Sequence, residues 1–403
     1  MKVPDLSEAA GGGDSQKPKN IDLGAYRKKK KQSKHLLKLI VILLGVIAFA
    51  LVWINASAIF EPLRGIASKV ETKTSNEVGF PIELPGSSRY SLKRLGDTFS
   101  LLTDTYLYSY ETTGAQIFAK KHGFSNPEQS TSEKRILLYD KAGYNFAVYS
   151  KSSLIFQKAL DDKIIYTSIG NDGLAAVVTE SERYSNVLYI YDDGGNWKYT
   201  KKFADENVMQ VCSVGDDEHI IVSTISSHNG DISANFYRYS IKSTGNHEWK
   251  YSVPNGSLPC GMYADKSIVT AVCDNIVLSL NCDKGELNGS YDYSGVLHRF
   301  WLNDSGTVLQ YNDISSNKNV LILLNASAEP TALTNVTSGT SCVYSDKSGI
   351  YVLDGAKMKI FDGDLITERD IAASDDDYSS FVKIGSSIIM LGYETRNMTE
   401  ISE

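Results

Sequence analysis

Cysteine is scarce in this chain of 403 residues, and its scarcity excludes several kinds of site. None of the five cysteines stands in a Cys-x-x-Cys pair, which excludes zinc knuckles and thioredoxin-like motifs. An odd number of cysteines cannot all pair within one chain. We therefore expect mostly small, buried thiols, with a single Cys273–Cys282 disulfide as the alternative.

The signatures of common catalytic sites are missing as well. No Gly-x-Ser-x-Gly elbow, P-loop or Gly-x-Gly-x-x-Gly follows a strand-like run, and no two histidines flank a glutamate at helical spacing. Acidic turns such as Asp216-Asp217 lack the closing glutamate of a calcium loop. The sequence thus indicates no catalytic residue, metal ligand or cofactor, and it favours a binding protein over an enzyme.

Charged side chains are absent from residues 39–60. As a helix this apolar stretch would be roughly 33 Å long, enough to cross a bilayer. A basic cluster precedes it: Arg27, Lys28, Lys29, Lys30, Lys31 and Lys34. By the positive-inside bias, we predict a single-pass signal anchor in the cell membrane, with a cytoplasmic N-terminus and the rest outside. A cleaved signal peptide ending near Ala56-Ser57-Ala58 is the alternative.

Charge is divided unevenly by this stretch. Residues 1–38 hold ten of the 41 basic and four of the 48 acidic side chains, a net charge of +6. That leaves 31 basic and 44 acidic side chains in the remainder, a net of −13. So acidic a region is not expected to bind nucleic acid, whereas the basic tail is expected to lie against anionic lipid.

Helical patterning is absent beyond residue 90, where short runs rich in Val, Ile, Tyr, Phe and Thr alternate with turn residues. A strand–turn–strand unit at residues 187–199 recurs at 236–251, with Trp197 and Trp249 in matching positions. Similar units lie at residues 106–120, 145–157, 276–293, 320–333 and 358–371. A repeat of about 40 to 50 residues built only of strands is typical of β-propeller blades.

The predicted fold is therefore all-β, a propeller of about seven four-stranded blades, with six or eight possible, preceded by one transmembrane helix. A pair of β-sandwiches is the alternative. We divide the chain into a disordered basic tail (1–38), the transmembrane anchor (39–60), a membrane-proximal stalk that leads into the fold (61–90) and the propeller (91–403).

Several motifs, taken in order, resemble a known family. They are Gly79-Phe80-Pro81, residues 101–105, His122 to Pro127, Leu138-Tyr139-Asp140, and residues 173–179 followed by 184–191. The family is a domain-of-unknown-function family of single-span, membrane-anchored, quinoprotein-like β-propellers from Gram-positive bacteria. The resemblance implies a membrane location and a propeller fold. It implies no reaction, ligand or catalytic residue.

We expect a binding or scaffolding module outside the cell membrane, whose partner is an envelope protein or a cell-wall polymer. An envelope glycan hydrolase or lyase is one alternative. A transmembrane sensor that signals through the basic tail is another.

Two groups of residues are candidate binding sites. The first is the irregular loop that holds His122, Phe124, Asn126 and Pro127, since loops between strands often carry function; alternatively, this loop only shapes a crossover between blades. The second is an aromatic platform of Trp197, Trp249 and Trp301, suited to stacking on a sugar ring. Packing between blades is the other explanation for these tryptophans.

Overall fold

The computed structural model describes residues 79–402, except 229, 244, 254–255, 373–376 and 393–396. In this part of the chain, 32 β-strands form eight antiparallel sheets of four strands each. No helix among these residues is long and apolar enough to cross a membrane. The predicted anchor and the basic cluster at residues 27–34 lie outside the described residues.

Each sheet is one blade, with its strands ordered from an inner to an outer strand. The inner strands of blades 1 to 8 are β2 (Ser91–Leu95), β6 (Pro127–Thr131), β10 (Ile164–Ile169), β14 (Asn207–Ser213), β18 (Pro259–Ala264), β22 (Gly295–Asn303), β26 (Thr340–Asp346) and β30 (Tyr378–Ile384). The second strands are β3 (Thr98–Leu102), β7 (Ile136–Asp140), β11 (Ala175–Thr179), β15 (His219–His228), β19 (Ile268–Cys273), β23 (Gly306–Asp313), β27 (Gly349–Asp354) and β31 (Ser387–Gly392).

The third strands of blades 1 to 8 are β4 (Tyr106–Glu111), β8 (Asn145–Tyr149), β12 (Asn186–Tyr191), β16 (Asp231–Ser240), β20 (Ile276–Asn281), β24 (Lys318–Asn325), β28 (Lys357–Phe361) and β32 (Asn397–Ser402). The outer strands are β5 (Gln116–Lys121), β9 (Leu154–Ala159), β13 (Trp197–Phe203), β17 (Trp249–Val253), β21 (Leu287–Asp292), β25 (Pro330–Asn335), β29 (Glu368–Ala372) and, for blade 8, β1 (Ile82–Glu83). Strand order therefore follows the chain in every blade except the last.

The predicted propeller is confirmed, and it has eight blades, the upper end of the expected range. The C-terminal strands belong to an eighth blade of their own. Its outer strand is β1, paired through Ile82 with Met398 and through Glu83 with Asn397. The propeller therefore also uses residues that precede 91, because the chain closes its ring by joining its first strand to its last.

The hydrophobic core is divided among the blade junctions. Buried apolar side chains form eight clusters, and each cluster joins two neighbouring blades, including blades 8 and 1. Both sides of a blade are thus covered, so second strands such as Thr98–Leu102 and Ala175–Thr179 are buried at every residue. This is why they read as continuous apolar runs and not as the alternating pattern of a half-exposed sheet.

The free edges of the inner strands are bound from the neighbouring blade. Polar side chains of one inner strand donate to backbone carbonyls of the adjacent one: Ser130 to Thr167, Ser168 to Val211, Gln210 to Cys260, Arg299 to Ser341 and Asn303 to Ser345. At the junction of blades 5 and 6 the contact is aromatic, with the Phe300 ring against Gly261. The hydrogen bonds satisfy backbone carbonyls on the free edges of the inner strands, which have no partner strand there.

The antiparallel order gives the propeller two distinct faces. We call the crossover face the one that carries the connections between blades and the turns between second and third strands. The hairpin face carries the turns that follow the inner strands and the third strands. The described chain enters at Gly79, beside Gly114 in a turn of the hairpin face.

Candidate functional site

The loop predicted as a binding site lies on the crossover face, where it joins outer strand β5 of blade 1 to inner strand β6 of blade 2. Hydrogen bonds to a neighbouring strand end fix the backbone of this loop. The Asp140 carboxylate, at the end of β7, accepts from the backbone N–H groups of Ser125 and Asn126 at 3.1 and 2.7 Å. The Phe124 ring packs on the core between blades 1 and 2. The loop is therefore a fixed surface, and its exposed residues are Gly123 and Ser125.

Neighbouring connections are tied to this loop. Arg89, in the connection from blade 8 to blade 1, donates to the Asn126 side-chain oxygen at 3.0 Å. In the same connection the Ser88 N–H donates to Asp104 at 3.2 Å, and this bond lowers the pKa of the Asp104 carboxyl. The loops of blades 8, 1 and 2 thus form one braced surface. The sequence did not identify Arg89 or Asp140 as part of this surface. Arg89 is distant from His122 along the chain, and Asp140 lies at the end of another strand, β7.

His122 holds a single tautomer in this surface. Its Nδ1 accepts from the Phe124 N–H at 3.0 Å, so the ring proton lies on Nε2, which faces the Thr103 carbonyl at 3.2 Å. Burial lowers the pKa of His122 below its ordinary value of 6.5, since a charged ring would lose water. Protonation would also break the bond from Phe124, because Nδ1 would become a donor.

We expect the loop to loosen in mild acid. The pKa of His122 is lower in the folded state, so its contribution to stability is full above about pH 6.5 and declines as the pH falls towards the folded value. Hydrogen exchange at Phe124 and Asn126 should be faster at pH 5 than at pH 7.5, after correction for the intrinsic pH dependence of exchange. In His122→Phe this extra acceleration should disappear; an unchanged acceleration would assign it to another group.

The three tryptophans of the proposed platform are not brought together. Trp249 is 8% exposed; its ring lies against Gly285 of blade 5, and its Nε1 donates to the Cys282 carbonyl at 2.8 Å. Trp197 is likewise the first residue of an outer strand, β13 of blade 3, but its side chain is 62% exposed. A β-bulge between Ile190 and Tyr191 shifts the register of the β12–β13 pair, which includes Trp197. The register of β16 and β17, which includes Trp249, is regular. Matching sequence positions therefore carry different side-chain directions.

Trp301 occupies a different part of the fold, inner strand β22 of blade 6. It is 36% exposed and its ring centroid lies 4.6 Å from that of Tyr344 in blade 7. It belongs to the wall of the central channel, whereas Trp197 and Trp249 lie on outer strands.

Two of the grooves that the described residues form lie between neighbouring blades. One, of about 450 Å³, opens between blades 4 and 5 on the crossover face and includes Tyr251, Asn275, Asp292 and Tyr293. The other, of about 430 Å³, opens between blades 6 and 7 on the hairpin face. The first is lined by polar groups and tyrosine rings, a surface suited to a polar ligand.

The cysteines are all free thiols, so the alternative Cys273–Cys282 disulfide does not form. Both of these side chains are buried, and burial raises their pKa values to about 12 and about 11. Thiols held in this protonated form are poor nucleophiles. Among the described residues, no group of three or more His, Cys, Asp or Glu side chains is arranged to hold a metal ion.

Comparisons with known proteins agree with this fold. Residues 69–391 match the family of unknown function DUF5711. No curated protein matches the chain in sequence. BamB from Moraxella catarrhalis has a similar structure, with a TM-score of 0.54 at 11% identity over 80% of this chain and 96% of that one.

Two further solved structures are similar. Sqt1 from Saccharomyces cerevisiae has a TM-score of 0.58 at 9% identity, with 81% of this chain and 99% of that chain covered. The dihydro-heme d1 dehydrogenase NirN has a TM-score of 0.55 at 12% identity, with 80% and 75% covered. Because a dehydrogenase is among these structures, the similarity shows the fold and leaves the function to be argued from the residues.

Proposed function

The chain belongs to the DUF5711 family, and from that premise we propose that it is a membrane-anchored binding module that presents its crossover face to a protein of the cell envelope. The observation that carries the proposal is the braced surface around His122. Loops from blades 8, 1 and 2 hold one another through Arg89, Asn126, Asp140 and Asp104. A surface already fixed before binding loses little conformational entropy on association, which favours affinity.

The membrane location rests on the sequence. The uncharged stretch at residues 39–60 follows a basic cluster, a pattern typical of an anchor that leaves its C-terminal part outside the cell. The described chain begins on the hairpin face, with Gly79 beside Gly114. A cell-wall polymer is the second partner class, and the polar groove beside Tyr251 and Asp292 is the observation that favours it.

Site-specific photo-cross-linking in living cells tests this function. A photoreactive residue is placed at Ser125, exposed in the braced surface, and in a matched chain at Lys266, exposed in a turn of the hairpin face. We expect one reproducible envelope protein to be captured from position 125 and not from position 266. External protease should digest the propeller once the wall is removed.

Several results would reject the proposal. Capture of the same proteins from both positions would mean that the crossover face is not selective. Protection of the propeller from external protease would reject the outside location. Captured glycan without protein would move the assignment to a wall polymer.

A further inference from the structure

The inner strands carry an uneven set of charges. Their basic side chains are Lys93, Arg94, Arg299 and Lys383, and their acidic ones are Glu128 and Asp346. Both acids are already paired, Glu128 with Lys141 at 2.9 Å and Asp346 with Lys383 at 3.0 Å. Among the described residues, no carboxylate lies within ion-pair distance of Lys93, Arg94 or Arg299.

These three cations come from two blades, Lys93 and Arg94 from blade 1 and Arg299 from blade 6. The Arg94 Nη1 of blade 1 lies 3.4 Å from the Tyr344 hydroxyl of blade 7, across the end of blade 8. On the other side of Tyr344 lies Trp301 of blade 6. The Arg299 Nε donates to the Ser341 carbonyl at 2.8 Å, on the same inner strand as Tyr344, and Lys93 directly precedes Arg94 on β2. Burial raises the pKa of Cys342 beside Ser341, and the charges of Lys93 and Arg299 oppose that rise. One wall of the channel therefore combines three cations with two aromatic rings.

This wall is open to solvent. An inner strand is paired along one edge only, and its other edge borders the channel. Lys93, Arg94 and Arg299 are all exposed. Backbone carbonyls fix the Arg299 guanidinium through Nε and Nη1, with no bond from Nη2 to the described residues. A concave surface lined by one sign of charge concentrates ligands of the opposite sign.

We propose that this channel wall binds an acidic segment of the protein partner, with Lys93, Arg94 and Arg299 pairing with carboxylates and Trp301 packing on apolar groups beside them. The inference rests on the proposed function and names the chemistry of the partner. Carboxylates fit because a guanidinium pairs with them through parallel, charge-assisted bonds. A peptide fits better than a bare ion, because an exposed tryptophan beside exposed arginines is typical of the anchoring residues of protein interfaces.

The test measures binding of a fluorescein-labelled hexaglutamate peptide to the full chain by fluorescence anisotropy at low salt. Arg27, Lys28, Lys29, Lys30, Lys31 and Lys34 are changed to glutamine in every variant, so that the basic tail does not bind the probe. Lys93→Glu with Arg299→Glu should weaken binding at least about tenfold. The milder pair Lys93→Gln with Arg299→Gln should weaken it less. The matched control, Lys120→Glu with Lys284→Glu, makes the same charge change on outer elements and should bind within about twofold of the parent.

Undetectable binding by the parent chain, or equal weakening by the control pair, would overturn the inference. So would binding of inorganic phosphate that depends on Lys93 and Arg299 while the peptide does not bind, since the site would then take a small anion. Cross-linking from position 125 separates the two proposals. An envelope protein captured equally well by the Lys93→Glu, Arg299→Glu chain would reject the acidic segment and leave the binding function standing.

Discussion

Replacing Lys383 with methionine is expected to destabilise the propeller by about 3 kcal/mol, because it removes a buried charge from its partners. Lys383 is 3% exposed on the inner strand of blade 8. Its ammonium donates to the Asp346 carboxylate at 3.0 Å, the Ser348 hydroxyl at 2.9 Å and the Gly385 carbonyl at 2.8 Å. Methionine fills the same space and leaves these acceptors without their donor. The loss falls at the junction of blades 7 and 8.

The effect should depend on pH. Burial alone would raise the pKa of Asp346, but bonds from Ser348 and Lys383 outweigh it and hold the pKa below the ordinary 3.8. A carboxyl with a lowered folded pKa stabilises the fold above its unfolded value, and this stability is lost as the pH falls through the folded pKa. The difference between wild type and Lys383→Met should therefore be full at pH 7 and smaller below about pH 4.

Urea unfolding followed by tryptophan fluorescence measures this change. The control is Lys347→Met, which removes the same charge from an exposed position in the adjoining turn. It should leave the unfolding midpoint almost unchanged. Equal shifts in the two variants would show that net charge, and not the buried ion pair, determines the difference.

Gly261→Val should separate blades 5 and 6. A Cβ at Gly261 would lie 2.1 Å from a carbon of the Phe300 ring, far inside van der Waals contact. The ring is rigid, so it must rotate away or the two inner strands must move apart. Overpacking of this kind costs roughly 1 to 3 kcal/mol, and we expect the upper end because the contact joins two blades.

A second substitution identifies the cause. Phe300→Ala should be destabilising by itself, since it removes a ring from the junction. Combined with Gly261→Val it should cost less than the sum of the two single changes, because the valine then occupies the vacated space. Additive free energies of unfolding would show that the valine acts on some other contact.

The sequence alone determined the repeating part of this protein. Alternating strand runs and turn residues, spaced by about 40 to 50 residues, predict antiparallel four-stranded blades because those signals act over a few residues. The hairpins at residues 187–199 and 236–251 are both present, as β12–β13 and β16–β17. The location of the His122 loop between two blades was likewise predictable, since it separates two strand runs.

Only the tertiary structure decided how the repeats close and which side chains meet. The eighth blade depends on Ile82 pairing with Met398, a contact between the two ends of the fold that no local pattern encodes. One β-bulge gives Trp197 and Trp249 different surroundings despite their matching positions. The cationic channel wall joins residue 94 to residue 344 across an intervening blade. Periodicity in sequence defines each blade, whereas register, closure and convergence depend on contacts between residues far apart in the chain.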